Sequence, residues 1–396
     1  MIIDILKSLG LTIGSFFANP ILYIGLFVIF LIAHRRVQKE RVAFHTRVTD
    51  RIADFVIPFW SAVVVGLLIS VATLGAGIVI TIPLLFLMIG VTILMALTTY
   101  VRWMSPAYVM GLALLAIAFA PFVGDIPYLA EGVAAVGEFP LYQFALILAL
   151  LVIGEGILIY RNGDVYTSPG VERSKRGKWV GFQEAKRMWI VPVFFLVPEG
   201  IIPSFEFWPV FTLGETSFQP ILFPVLIGFQ QRVRSSLPSA PIKMMGMRVV
   251  GVGLLLAALA VVSYWYPFVA VLMASIAIIS RELLWMVAKS QDESQPAFYN
   301  SKQKGCVILG IIPGSPATKM KLEVGETIVK VNGQTVHDEK SFYEALQLNG
   351  AAFCKLDVLD HAGEVRFAQG ALYDGQHHQL GVLLVKHDYQ LQDSVI

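Results

Sequence analysis

The chain has 396 residues, of which 56% are hydrophobic and only 15% are charged, and its mean hydropathy is +0.69. This composition excludes an ordinary soluble globular protein and indicates an integral membrane protein. The formal net charge of +2 is small, and we expect no nucleic-acid partner.

Before Arg281 the sequence consists of long apolar segments separated by short polar ones. Because a membrane-spanning helix needs about 20 apolar residues, residues 1–290 are predicted to form a polytopic α-helical transmembrane domain of about nine spans. An interfacial helix at residues 2–13 is expected before the first span, and the N-terminus has the pattern of an uncleaved anchor. The predicted spans are residues 16–33, two within 57–99 with a turn near Gly75 and Gly77, 107–122, 141–160, two within 189–229 and two within 249–280.

The distribution of basic residues predicts the orientation of these spans. Lys and Arg are concentrated around residues 34–51, 161–187 and 232–248, whereas the segments predicted to lie outside hold only Lys7. Because cytoplasmic loops are enriched in Lys and Arg, the N-terminus is predicted outside and the C-terminal module inside. The same basic loops are expected to lie near anionic lipid headgroups.

Two apolar segments depart from the usual length of one span. Prolines interrupt residues 189–229, so we predict two kinked or short helices joined outside near residues 206–215, or a re-entrant pair. Residues 249–280 are predicted to form a helical hairpin that turns at residues 264–267, with Arg281 and Lys289 at the inner face.

The last hundred residues have a different pattern. Residues 305–317 contain a β-branched strand, a Pro-Gly turn and a helix entry, and residues 324–333 contain a second strand closed by Asn-Gly. This order resembles the middle of a PDZ domain, with Glu326 where bacterial members usually carry Asp. The resemblance implies a small α+β fold at residues 301–390, after a linker at 291–300. Cys306 and Cys354 fall on its strands and are expected to be buried free thiols.

The PDZ resemblance also implies a peptide-binding groove. Residues 379–382 resemble the family's carboxylate-binding loop with Gln in place of the first Gly, and they lie at the end of the module, so a circularly permuted PDZ domain is predicted. Asp338 is placed to cap the second helix of the module. A peptide would add as a strand beside the last strand. The predicted groove residues are Leu380, Gly381, Val382, Leu383, Leu384, Phe342 and Leu346. For Phe342 and Leu346, a purely core role is the alternative.

The C-terminus itself has the form of a PDZ ligand. Residues 391–396 are a tail that ends Ser394, Val395, Ile396, with Ser two places before an apolar terminus. The tail is therefore predicted to block the groove of its own chain or to fill that of a neighbour, which would cause self-association.

PDZ domains often accompany membrane proteases, so catalytic motifs would be informative. The sequence contains no His-Glu-x-x-His, Gly-x-Ser-x-Gly or metal-binding Cys pair, so we expect no enzyme, cofactor or metal. Glu155 and Glu199 are the two carboxylates at possible membrane depth, and such groups suggest a proton or ion path. The alternative is that both lie near an interface or bond to a neighbouring helix. The alternatives to a scaffold are therefore a transporter or channel with a regulatory PDZ domain, or a protease accessory that presents substrates.

A multispan membrane domain with basic inner loops and one C-terminal PDZ domain resembles the MinJ family of cell-division determinants. The resemblance implies a membrane scaffold at division septa and cell poles. It would connect the curvature-sensing protein DivIVA to the division inhibitor MinD, and both DivIVA-like and MinD-like proteins are the expected partners.

Overall fold

A computed structural model describes residues 2–48, 52–122, 130–174, 177–203, 217–300, 305–348, 353–371 and 380–385. Helices enclose a three-stranded sheet in the N-terminal three quarters of the chain, and a six-stranded sheet with two short helices follows. Each part has its own main hydrophobic core.

The first two helices are α1 (Ile2–Ala18) and α2 (Pro20–Phe44). They separate at Asn19, whose side chain accepts a hydrogen bond from the Ile21 N–H at 3.0 Å, and Pro20 occupies the first position of α2, which favours a helix start there. The helix α2 continues through the basic residues from His34 to Arg41. These residues were predicted to lie in a loop, and that prediction is wrong.

Most of the next helices fall where the apolar segments predict them, but a short helix at Ala130–Gly137 lies between two predicted spans, where a loop was expected. Residues 57–99 form two helices, as predicted, and Gly77 ends the first in the left-handed conformation with a φ of 68°. The elements are α3 (Ala53–Ala76), α4 (Ile82–Leu97), α5 (Pro106–Phe119), α6 (Ala130–Gly137) and α7 (Leu141–Asn162).

The segment after residue 238 is a helical hairpin, as predicted. It consists of α8 (Ser239–Val262) and α9 (Phe268–Ser294), joined by a short turn before Pro267. Within the part of the chain that the structure describes, five helices are long and apolar enough to cross a membrane: α2, α3, α7, α8 and α9. The helices α4 and α5 are apolar but shorter. These helices support a membrane protein.

The proline-rich segment is a β-sheet. It contains β1 (Ser168–Arg173), β2 (Trp179–Pro203) and β3 (Ser217–Val233), which pair in antiparallel order β1-β2-β3. The β2 and β3 strands stay in register from Gln183 opposite Val233 to Pro198 opposite Phe218, a length of about 50 Å at about 3.3 Å per residue. The prediction of two helices within residues 189–229 is therefore wrong. Two of the nine predicted helical spans do not form.

The helices satisfy the open edges of this β-hairpin. On the β2 edge, Ser70 Oγ accepts from the Phe194 N–H at 2.9 Å and Thr73 Oγ1 donates to the Phe194 carbonyl at 2.9 Å. On the β3 edge, Thr12 Oγ1 donates to the Pro220 carbonyl at 2.7 Å. An unpaired sheet edge is strongly unfavourable among apolar helices, so these hydroxyl groups allow the hairpin to lie between α1 and α3.

The C-terminal unit is a compact α+β fold. Its sheet has the order β8-β7-β5-β4-β9, with β6 paired to β5, so the last strand lies beside the first. Its elements are β4 (Cys306–Ile311), α10 (Pro316–Lys319), β5 (Thr327–Val331), β6 (Gln334–Thr335), α11 (Glu339–Gln347), β7 (Phe353–Leu359), β8 (Val365–Ala371) and β9 (Val382–Leu384). Cys306 and Cys354 are buried free thiols, as predicted.

Candidate functional site

The loop before β9, which was predicted to bind a carboxylate, is packed closely against the connection between β4 and α10. Gly381 has a φ of +85°, and a Cβ there would collide with the Ser315 side chain. The loop is held by two backbone hydrogen bonds, from the Ile312 N–H to the Gly381 carbonyl at 2.8 Å and from the Ala317 N–H to the Leu380 carbonyl at 3.0 Å. Only glycine has both the backbone freedom and the absence of a side chain that this position demands.

The structure brings most of the predicted groove residues together. Phe342 and Leu346 of α11 belong to one hydrophobic cluster that also contains Leu380, Val382 and Leu384. All five are at most 5% exposed, so they are part of the buried core of the C-terminal unit. Leu383 points to the opposite face of β9 and lies near Gly310.

A small cavity of ≈ 10 Å³ lies where β9 ends and α11 begins, lined by residues that include His337, Asp338, Leu384 and Val385. This volume is about that of one water molecule.

The start of α11 is fixed by a capping box, as predicted for Asp338. The Asp338 carboxylate accepts from the Ser341 N–H at 2.8 Å, and Ser341 Oγ accepts from the Asp338 N–H at 3.1 Å. Two otherwise unpaired donors are satisfied in this way.

Glu326 has a structural role. Its carboxylate is 2% exposed and forms two hydrogen bonds of 2.6 Å with the Arg366 guanidinium. It also accepts from the Glu323 N–H at 2.8 Å. Glu326 thereby connects the turn before β5 to β8. These hydrogen bonds involve neither β9 nor α11.

The C-terminal unit is attached to the β1-β2 end of the N-terminal sheet by hydrogen bonds. The Gly181 N–H donates to the Tyr299 carbonyl at 2.8 Å, and Gln183 Nε2 donates to the Leu309 carbonyl of β4 at 2.6 Å. Residues 291–300 were predicted to be a linker, but α9 continues through Ser294 and Tyr299 is fully buried. The connection between the two parts is therefore a packed one.

A small apolar cluster completes this contact. Its buried members are Tyr299, Val307, Leu309 and Val385. Partly buried side chains from α2, β1, β2 and the connecting segments pack against them: Phe44, Val171, Trp179, Phe298 and Val324. Neither this cluster nor the role of Gln183 was predicted from the sequence, because both depend on the start of β2, which falls in a segment that was predicted to be a basic loop.

The intramembrane carboxylate Glu155 is paired. It is fully buried in α7, it accepts from Arg281 Nε of α9 at 3.0 Å, and it accepts from Ser105 Oγ at 2.6 Å. Ser105 also caps α5. The cluster therefore joins three helices. Arg281 was predicted at the inner face, but it is buried.

The other predicted site residues lie elsewhere. Glu199 is on β2, outside the helices that hold Glu155 and Arg281. The predicted ligand-like residues Ser394, Val395 and Ile396 lie outside the described residues. Among the described residues, no group of three or more His, Cys, Asp or Glu side chains could hold a metal ion.

Comparisons with known proteins agree with this architecture. The family model for the PDZ domain matches residues 307–359. The chain is 38% identical over 395 residues to the cell division topological determinant MinJ of Bacillus subtilis (strain 168), which covers 98% of this chain and 96% of the relative. The chain belongs to the MinJ family. Two more MinJ-family relatives, described as probable cell division topological determinants, come from Lacticaseibacillus paracasei and Lacticaseibacillus casei (strain BD-II). Each is 25% identical over 339 residues, which covers 82% of this chain and 84% of the relative.

The membership defines the class of this MinJ-family protein. It combines candidate membrane-spanning helices with a PDZ domain, and the name of the Bacillus subtilis relative describes a determinant of cell division topology. MinJ is not a known enzyme family. No solved structure matches the chain, so the β-hairpin between the helices is described from this structure.

Proposed function

We propose that this MinJ-family protein is a non-enzymatic scaffold for division-site selection, which connects a DivIVA-like protein at septa and poles to a MinD-like division inhibitor. The PDZ groove binds one partner, and the membrane domain binds the other. The protein lies in the cell membrane as a multi-pass protein with its PDZ domain in the cytoplasm, as the basic residues around positions 34–51 and 161–187 favour.

The continuous β2 strand is the observation that carries this proposal. Its first residues bond the PDZ domain through Gly181 and Gln183, and its later residues Trp189, Val191 and Val193 are fully buried among the helices. A scaffold must hold its binding surfaces in a fixed relation, and a hydrogen-bonded strand that enters both parts provides that rigidity.

The groove is proposed to take an extended peptide beside β9. The position of β9 next to β4 supports the circular permutation inferred from the sequence, because the strand after the glycine loop is the last one. The positive φ of Gly381 supports convergence of backbone N–H groups on a terminal carboxylate.

Two matched glycine variants test this function in cells. Gly381 and Gly333 both have positive φ, +85° and +86°, but only a side chain at Gly381 would meet other atoms within 4 Å. We expect full-length Gly381→Ala to lose one of the two partners in co-purification, while Gly333→Ala retains both. A fluorescent fusion of the native chain should concentrate at septa and poles.

A chain truncated after Gln295 tests the division of labour. It retains the predicted spans, and we expect it to reach the membrane and keep only the partner of the membrane domain. Diffuse membrane label of the native fusion, or retention of both partners by the truncated chain, would contradict the proposed scaffold.

A further inference from the structure

A positively charged cavity lies where α2, the start of α3 and β2 meet. Its volume is ≈ 200 Å³. Five basic side chains line it: Arg35, Arg36, Lys39, Lys186 and Arg187. The acidic residues in its wall are Asp54 and Glu184, so the wall has three more positive than negative groups.

Both carboxylates are already engaged. The Asp54 carboxylate lies 2.9 Å from Arg187 Nη1 and 2.9 Å from Arg36 Nη2. Glu184 accepts from Gln230 Nε2 at 2.9 Å, and its oxygens lie 3.9 Å from Lys39 Nζ and 3.9 Å from Arg232 Nη2. The acids of the wall are therefore shared among several cations.

Three basic groups of the cavity can still donate a hydrogen bond to an anion. Within the described ranges, Arg35 and Lys186 form no hydrogen bond or ion pair, and the buried Nε of Arg187 has no hydrogen-bond partner. The Arg187 side chain is 3% exposed. Because Arg187 already pairs with Asp54 and donates from Nη2 to the Val165 and Tyr166 carbonyls, its Nε is the donor that a further acceptor would satisfy.

The pKa of Lys186 is consistent with a positively charged cavity. Burial lowers the pKa of Lys186, the Glu184 carboxylate opposes that shift, and the charges of Lys39 and Arg35 add to it. Positive groups that repel one another in a partly buried cavity attract a negative ligand.

The surroundings of the cavity favour a phospholipid over a free ion. The apolar part of α2 ends where its basic part begins at His34, which is the pattern of a membrane surface. Large apolar side chains of α2 and α3 near this level are exposed, among them Phe30 at 47%, Val56 at 58% and Trp60 at 71%. Such side chains suit contact with acyl chains, and Trp is common at the membrane interface.

We propose that this cavity binds the phosphate headgroup of an anionic phospholipid. Arg35 and Lys186 donate to the phosphate oxygens, and the guanidinium of Arg187 provides a buried positive charge behind them. The acyl chains lie against the exposed apolar side chains of α2 and α3. Because Lys186 is on the same strand as Gln183, the lipid fixes the PDZ-bearing end of β2 at the membrane surface.

Calorimetric titration of the full chain in neutral detergent tests this proposal. The ligands are short-chain phosphatidylglycerol, short-chain phosphatidylcholine and inorganic phosphate. The variant Arg35→Gln/Lys186→Gln removes two charges that form no ion pair, so folding should be kept. The matched control Arg41→Gln/Arg161→Gln removes two exposed basic residues that do not line the cavity.

We expect phosphatidylglycerol to bind the native chain more tightly than either other ligand does. The cavity variant should weaken this binding about thirtyfold, which corresponds to about 1 kcal/mol for each basic residue. The control pair and the conservative variant Arg35→Lys/Lys186→Arg should bind nearly as the native chain does. Equal binding of phosphatidylglycerol by the cavity variant and the control would overturn the proposal. Binding of inorganic phosphate as tight as that of the lipid would also overturn it, and would assign the cavity to a free anion.

Discussion

Replacing Glu155 with Gln would leave the positive charge of Arg281 buried without its carboxylate. The two side chains are 0% and 5% exposed and their nearest atoms lie 3.0 Å apart. Gln keeps the shape of Glu and can still accept a hydrogen bond from Ser105. The substitution therefore removes the charge with little change in packing.

The expected loss of stability is large for a single substitution. Breaking a buried ion pair by neutralising one partner typically costs about 3–5 kcal/mol, and replacing both partners with uncharged groups of similar volume is often close to neutral. Because the introduced amide would retain one polar contact, we expect Glu155→Gln to cost about 3 kcal/mol, and Glu155→Gln/Arg281→Met to recover most of that loss.

The assay is the thermal unfolding midpoint of the full chain in detergent, together with its abundance in membranes. The control Glu138→Gln neutralises an exposed carboxylate just before α7 and should leave the midpoint unchanged. If Glu155→Gln behaved like this control, or if the double variant were no more stable than the single one, the assigned role of the ion pair would be refuted. Retention of septal localisation by the stable double variant would separate a scaffold from a transporter that uses Glu155.

Three further predictions concern the PDZ domain. Burial raises the pKa of Cys354 to about 11 and that of Cys306 to about 12. Since the thiolate is the reactive form, alkylation of these two cysteines at pH 8 should be far slower in the native chain than in urea. Both pKa values are raised in the folded state, so the neutral thiols favour folding. This contribution is complete below pH about 9 and is lost as the pH rises through 11 to 12. Asp338→Ala should destabilise the domain by about 1 kcal/mol through loss of the cap, seen as faster cysteine alkylation at intermediate urea. By the same assay, Gly381→Ala should destabilise the domain more than Gly333→Ala. Both variants carry strain of about 1–2 kcal/mol from positive φ, and only Gly381→Ala adds a collision with Ser315.

Each of these predictions has a clear contrary result. Rapid alkylation of the native chain at pH 8 would contradict the burial of both thiols. An Asp338→Ala variant as stable as the exposed control Lys340→Ala would exclude an energetic role for the capping box. Equal effects of Gly381→Ala and Gly333→Ala would show that the loop before β9 tolerates a side chain and is not fixed against Ser315.

The candidate site could be located from the sequence but its state could not. The PDZ pattern placed Phe342, Leu346 and Leu380 on facing elements, because turn residues and helix caps act locally. How exposed these side chains are depends on packing across the domain, which local signals do not report. The structure shows that all three belong to one buried core.

The partner of Glu155 was beyond sequence reasoning for a related reason. Arg281 lies near the middle of α9 beside Glu282, and it was predicted at the inner face together with Lys289. Its partner Glu155 on α7 is 126 residues away along the chain. Only the crossing of α7 and α9 decides that the two charges meet.

The sequence alone determined the membrane class, the two-part organisation, the helical hairpin of α8 and α9, and the PDZ domain, since hydropathy, turn residues and local motifs act over short distances. It could not determine the β2-β3 hairpin, because residues 189–197 are apolar without alternation and a buried strand then has the pattern of a buried helix. The tertiary structure decided that case. Ser70, Thr73 and Thr12, which are distant in sequence, supply the hydrogen bonds that an exposed sheet edge would otherwise lack, and the same strand then positions the PDZ domain.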